Sequence, residues 1–243
     1  MEIEREADQL TTGCRILAEQ DIIDAYGHLS ARVPGRDDLF IIARQMAPAL
    51  VEPQDFVVMD FAGNVVQGDG VPNQEWPIHA CLFKARSDVN AVLHSHSMWS
   101  RVWGLASVPL RGVLTGQSYE WNDGLPIYRD AGLIFNHERG DKVAATLGEG
   151  SAMLLRGHGD VVVGRDVAAT VMRSVTLKQN AEVLHAAYAL GTPDLWGKEE
   201  AAGWREQALR VPAGPGAVVV GNRAWEYYEA RINGRLRKLL GQD

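Results

Sequence analysis

The chain has 243 residues, with 24 basic against 31 acidic side chains and a net charge of −7. Its 46% hydrophobic and 23% charged content is that of an ordinary globular protein and excludes a disordered or collagen-like chain. No run approaches the roughly 18 apolar residues of a membrane-spanning helix, and no basic cluster supports nucleic-acid binding. The acidic start, residues 1–6, lacks the apolar stretch of a signal peptide. Two cysteines, Cys14 and Cys81, form no CxxC pattern and are expected as buried thiols in a reducing cytoplasm. Without repeats or a Pro-, Gly- or Ser-rich linker, residues 1–243 are expected to form a single domain.

The spacing of Ala7, Leu10, Cys14, Leu17 and Ala18 predicts an opening amphipathic helix. Residues 29–33 and 39–43 read as strands around a Pro34-Gly35 turn, and 56–60 with 65–66 as an antiparallel hairpin. Pro77 suits the first turn of a helix reaching Arg86. A buried strand follows over 90–96, then short helices over 100–105 and 141–147. Apolar strands over 151–156 and 161–163 flank Gly157-His158-Gly159. Asp166 is placed to cap a helix that runs toward Leu190 and stops at Gly191, and a last helix is expected over Trp225–Leu240. Strands and helices mix without βαβ alternation, so an α/β fold with a mostly antiparallel or mixed sheet, covered by helices, is expected.

The strongest chemical signal is His94-Ser95-His96. Along a strand the side-chain period is two, so both imidazoles leave one face and together suit a divalent ion. Two unrelated surface histidines would give the same text. The pair, however, ends the apolar strand Ala91-Val92-Leu93, where α/β folds place their sites. His158 is the candidate third ligand, because its glycine neighbours allow a tight turn and close backbone approach. Glu75, just before the Pro77 helix, is either a cap at the positive helix end or a general acid/base or fourth ligand. His79, one turn on, suits a core or supporting position as well as a reactive one.

Glu75-Trp76-Pro77-Ile78-His79, residues 86–96 ending in His94-Ser95-His96, and Leu155-Arg156-Gly157-His158-Gly159 together resemble the class II aldolase/adducin family. Gly27-His28-Leu29-Ser30 resembles that family's N-terminal GN[IV]S element, and the likeness runs over about residues 8–235. It implies a three-layer α/β/α domain and one divalent metal per subunit (Zn, Mn, Fe or Co) on His94, His96 and His158. It also implies Glu75 as the catalytic acid/base, and a homotetramer.

His28 stands where sugar-phosphate aldolases of the family have Asn, and residues 42–51 lack the small Ser, Thr and Gly residues of a phosphate loop. The chain instead resembles the family's decarboxylase branch. That implies a small-molecule substrate, a hydroxylated aromatic dicarboxylate of the dihydroxyphthalate type, with the metal stabilising a carbanion/enolate as CO2 leaves. Arg44, His28 and Arg32 are candidates for a second carboxylate, although Arg32 suits a structural ion pair equally well. Tyr119 and Tyr228 are candidates to reach a neighbouring subunit's site. The alternatives are an aldolase or dehydratase acting on a sugar derivative, and a non-catalytic adducin-like interaction domain.

Overall fold

The computed structural model describes residues 2–115, 117–210 and 220–239. Helix α1 (Glu2–Glu19) leads into strands β1 (His28–Arg32), β2 (Leu39–Ala43), β3 (Phe56–Asp60) and β4 (Val65–Gln67). Helix α2 (Trp76–Ala85), strand β5 (Ala91–Ser95) and helix α3 (Met98–Leu105) follow. Then come β6 (Ile127–Tyr128), α4 (His137–Leu147), β7 (Ala152–Leu155), β8 (Gly159–Gly164) and α5 (Val167–Leu190). The chain ends in α6 (Lys198–Arg210), α7 (Val220–Ile232) and α8 (Arg235–Leu239).

The strands form one mixed sheet in the order β4-β3-β2-β1-β5-β8-β7-β6. Every pair is antiparallel except β6 with β7. Two cores cover its faces. Leu29, Ile41, Leu93, Leu154 and Val162 pack against Leu10 and Leu17 of α1 and Val171 and Val175 of α5. Phe40, Ile42, Val92, Val161 and Val163 pack against Ile78, Leu82 and Phe83 of α2 and Val143 and Leu147 of α4. The period-two alternation along each strand sends neighbouring residues to opposite cores, so the architecture is three-layer α/β/α. Among the described residues no helix is long and apolar enough to cross a membrane. Cys14 and Cys81 are buried and unpaired.

Some elements differ from the sequence reading. The expected 225–240 helix is broken by Gly234, whose φ of +74° is outside helical space, and α7 already begins at Val220. Leu240 lies outside the described residues. Helix α4 starts earlier, at His137, because the Asn136 side chain accepts the Arg139 N–H as an N-cap. Helix α6 and the two-residue β6 were not foreseen. The first is weakly amphipathic, and the second is held only by its partner β7.

Candidate metal centre

Antiparallel pairing aligns the chain segments that carry the chemistry. His28 of β1 lies directly opposite His94 of β5, and His94 lies opposite Val161 of β8. The turn before β8 therefore delivers His158 to the end of β5. Gly157 supplies a left-handed turn residue at φ +68°. Gly159 permits contact between the two strands, since a Cβ there would collide with the Ser95 carbonyl.

One ligand atom each from Glu75, His94, His96 and His158 lies within 4.8 Å of the others. His94 Nε2 is 3.1 Å from His96 Nε2 and 3.5 Å from Glu75 Oε2, and His158 Nε2 is 3.6 Å from the same oxygen. Ligand atoms about 2.0–2.1 Å from a tetrahedral ion lie roughly 3.3–3.4 Å apart, and these three separations are close to that spacing, so the group could hold one divalent ion. The far nitrogens are tied back. His94 Nδ1 donates to the Asp160 carbonyl at 2.8 Å, and His96 Nδ1 faces Asp24 at 3.3 Å. Both bonds leave Nε2 bare toward the centre. Burial, then the charge of His94, pushes His96 down to about 4 against the pull of Asp24. The same causes lower His158. Both rings are thus neutral at pH 7, the form that ligates metal.

Glu75 occupies the N-cap position of α2 but makes no cap hydrogen bond. Its Oε1 instead accepts the Ile134 N–H at 2.9 Å. Burial works to raise this carboxyl, but the bond and charge of His94, the Ile134 N–H and His158 outweigh it and hold it at about 2. The capping role is therefore not the one Glu75 plays.

Around the cluster, Arg101 Nε donates to the His158 carbonyl at 3.1 Å while its other arm lies 3.6 Å from Asp24. On the opposite face of the sheet, the buried Asp160 carboxylate accepts the hydroxyls of Ser95 and Ser100. Ile134, Asp24, Arg101 and Asp160 were invisible to sequence reasoning. Each acts through contacts with residues distant in sequence, and no local spacing marks it.

The expected substrate residues fare differently. His28 is buried with its ring centroid 5.0 Å from that of His94. Arg32 shares the face of His28, but its guanidinium is spent on the carbonyls of Asp37, Phe83, Arg86 and Val89, where it closes the C-terminal end of α2. A guanidinium so engaged has no free fork for a substrate, and the sequence reading of Arg32 is corrected accordingly. Extending the β1–β2 register by two pairs puts Arg44 beside His28, one strand further from His94. Its charge is paired with Asp55 at 2.9 Å. Tyr119 and Tyr228 belong to the layer around α5, where Tyr228 accepts a hydrogen bond from Gln179 at 3.3 Å, and neither joins the cluster. A cavity of about 420 Å³ opens beside His158, lined by Leu105, Ala131, Leu133, Arg156 and Gly157. Sequence reasoning passed over Arg156.

Comparison with known proteins agrees with this fold. The chain is 27% identical over 234 residues to a 3,4-dihydroxyphthalate decarboxylase of Arthrobacter keyseri, covering 85% of this chain and 94% of that one. It is 29% identical over 192 residues to the decarboxylase tropJ of Talaromyces stipitatus, covering 71% and 72%. A solved aldolase II superfamily protein from Pseudomonas syringae superposes with a TM-score of 0.81 at 25% identity, over 96% of this chain and 94% of that one. An L-fuculose 1-phosphate aldolase from Glaciozyma antarctica shares the fold, with a TM-score of 0.79 at 22% identity over 98% and 91%. Residues 8–185 match the model of the class II aldolase and adducin N-terminal domain, and the chain belongs to that family.

Proposed function

We propose that the protein is a metal-dependent decarboxylase of a hydroxylated aromatic dicarboxylate, with residues 1–243 acting as one unit. The observation that carries this reading is the cavity beside His158. Leu105, Ala131 and Leu133 give it apolar walls suited to a flat ring, and Arg156 adds a guanidinium at its edge. Among the described residues no carboxylate pairs with Arg156, so its fork is free for a planar carboxylate. The decarboxylase relatives support the same chemistry. The bulky apolar Met46 and the N–H-lacking Pro48, in the segment where sugar-phosphate relatives bind phosphate, weigh against a phosphorylated sugar.

His94, His96 and His158, with Glu75 facing them, would hold the metal. A bound divalent ion supplies Lewis-acid stabilisation of the charge that develops on the substrate oxygen. Glu75 rests ionised, so it begins as a base. It takes the proton of the ring hydroxyl as substrate binds and returns that proton to the ring carbon bearing the adjacent carboxylate. The C–C bond then breaks, its electron pair restores the aromatic ring, and CO2 departs. One proton from water re-forms the hydroxyl, so the balance closes with Glu75 ionised again. For 3,4-dihydroxyphthalate, loss of the carboxylate next to the hydroxyl leaves 3,4-dihydroxybenzoate.

A homotetramer and a cytoplasmic location belong to the same reading. Met98 and Val102 on α3, with Phe135, are exposed apolar residues outside the cavity. They support burial against further copies, with Tyr119 and Tyr228 reaching a neighbour's site. The two unpaired thiols support the reducing compartment.

The test is CO2 release from 3,4-dihydroxyphthalate and other ortho-hydroxylated aromatic dicarboxylates by protein loaded in turn with Zn, Mn, Fe and Co. Retro-aldol cleavage of a sugar phosphate, with no CO2 from any aromatic acid, would overturn the reading and establish the aldolase alternative. Absence of bound metal and of both activities would favour the interaction domain.

A further inference from the structure

Beside the metal-ligand set lies a second group of side chains that metal binding does not use. His28 Nδ1 is 2.6 Å from His79 Nε2, and His79 Nδ1 is 2.5 Å from Ser30 Oγ. All three residues are buried, and all three lie between the sheet and α2. The remaining nitrogen of the chain, His28 Nε2, is buried with no hydrogen-bond partner in the protein. Its ring is 5.0 Å from that of His94.

A neutral imidazole has one N–H and one bare nitrogen, so the hydrogen bonds can run in two directions only. In one direction Ser30 donates to His79, His79 Nε2–H donates to His28, and His28 is left with its hydrogen on Nε2. In the other, His28 donates to His79 and His79 donates to Ser30. The Ser30 hydroxyl must then find another acceptor. The structure offers it the Val92 carbonyl at 3.5 Å, which is the outer limit of a hydrogen bond. The first direction satisfies every group except His28 Nε2–H, and it leaves a buried donor waiting for an acceptor next to the metal centre. Such a donor is costly to leave unmet, so the site selects for a ligand that brings an oxygen to it.

We propose that Ser30 and His79 are positioning residues that lock His28 as an Nε2–H donor, and that His28 uses this hydrogen to bind an anionic oxygen of the substrate. The proposal rests on the reading of the substrate as a hydroxylated aromatic acid held at the metal centre. It assigns the oxygen contact to His28 and denies His28 the part of general base, because the nitrogen facing the substrate carries no lone pair. A neutral imidazole donates from Nε2 only when its Nδ1 is bare, and here the His79 Nε2–H holds Nδ1 as the acceptor.

The first test needs no substrate. Long-range 1H–15N correlation spectra of histidine-labelled protein, metal-free and zinc-loaded, report which nitrogen of each ring is protonated, and the His28→Gln variant assigns the signals. Both His28 and His79 are expected as Nε2–H tautomers. In Ser30→Ala the chain loses its anchoring donor, and His28 is expected to shift toward the Nδ1–H form with zinc content unchanged.

The second test uses 3,4-dihydroxybenzoate as probe, titrated by calorimetry into zinc-loaded protein. His28→Leu should bind it about 10- to 100-fold more weakly, the loss of one hydrogen bond to a charged acceptor. His28→Gln, whose amide can still donate, should recover most of that loss. An Nδ1–H tautomer at His28 in the unaltered protein would overturn the proposal, as would equal weakening in the Leu and Gln variants. If the unaltered protein does not bind the probe, the aromatic-acid reading fails, and the tautomer spectrum still decides the orientation of the chain.

Discussion

The Ile134 N–H donates to Oε1 of Glu75 at 2.9 Å, which turns Oε2 toward His94 and His158. One backbone contact thus takes a carboxylate from the mouth of a helix and makes it part of the centre. Because Glu75 is held at about 2, it is an acceptor at rest and has to be loaded with a proton by the substrate. Glu75→Gln keeps the shape and cannot exchange protons. Its turnover is expected to fall about 10²-fold or more, the contribution of a general acid/base, while substrate still binds. Near-unaltered turnover would move the proton to another group.

Metal retention should follow the geometry of the cluster. His94→Ala removes a wholly buried ligand and is expected to lose most bound metal with the circular dichroism spectrum intact. Asp24→Ala leaves the ligands in place but frees His96 to rotate, and metal affinity should fall about 10- to 100-fold, the usual cost of removing a supporting carboxylate. Metal analysis after dialysis against a graded chelator separates the two. Stoichiometric metal in His94→Ala would remove that residue from the set.

Acid should destabilise the metal-free protein well before its carboxylates titrate. Burial, then the neighbouring charge of His94, holds His79 at about 3, and burial, then His79 and His94, carries His28 well below its ordinary value. Between pH 6.5 and the folded values, the unfolded chain binds protons that the folded chain refuses, so stability falls as pH falls. The slope is about 1.4 kcal/mol per pH unit for each histidine held neutral. Above about pH 4.5 Glu75 adds nothing, since its folded value is depressed and its stabilisation is lost only as pH falls below about 4.5 toward 2. Denaturant midpoints of metal-free protein at pH 6.5, 5.5 and 4.5 should decline steadily. A flat profile would mean that these rings protonate without cost in the fold.

Gly159 should tolerate no side chain. A Cβ there meets the Ser95 carbonyl and the His96 Cα, which are main-chain atoms that cannot rotate away. Gly159→Ala is expected to cost about 1–3 kcal/mol, as overpacking does, and to weaken metal binding by parting β5 from β8 between His96 and His158. Equal melting temperatures and equal metal affinity would show that the turn accommodates the methyl group.

Arg156 should discriminate by charge. Arg156→Ala is expected to raise KM for a hydroxylated aromatic dicarboxylate about 10- to 100-fold, the loss of a charge-assisted bond, with metal content unchanged and little effect on a monocarboxylate analogue. Equal effects on both would show that Arg156 does not read the second carboxylate.

Much was legible in the one-dimensional text because the signals are local. The apolar run Ala91-Val92-Leu93 marks β5, and the strand's side-chain period of two sets His94 and His96 on one side. Asp166 and Gly191 bound α5 because capping depends on one residue's side chain or backbone freedom. The order of Glu75, His94-Ser95-His96 and Gly157-His158-Gly159 pointed to one cluster before any coordinates did. What the sequence could not decide is what each charged side chain does once the chain has closed on itself. Arg32 and Arg156 read alike as arginines near a motif. The fold spends Arg32 on the carbonyls at the end of α2 and leaves Arg156 at a cavity beside His158. Glu75 at a helix entrance looks like a cap until Ile134, 59 residues on, takes its oxygen. His28 and His79 are 51 residues apart and become one hydrogen-bonded chain only because α2 packs over β1. Local propensity and period act over a few residues, whereas partner choice for a polar group is made across the sheet by register and packing, and only the tertiary structure determines it.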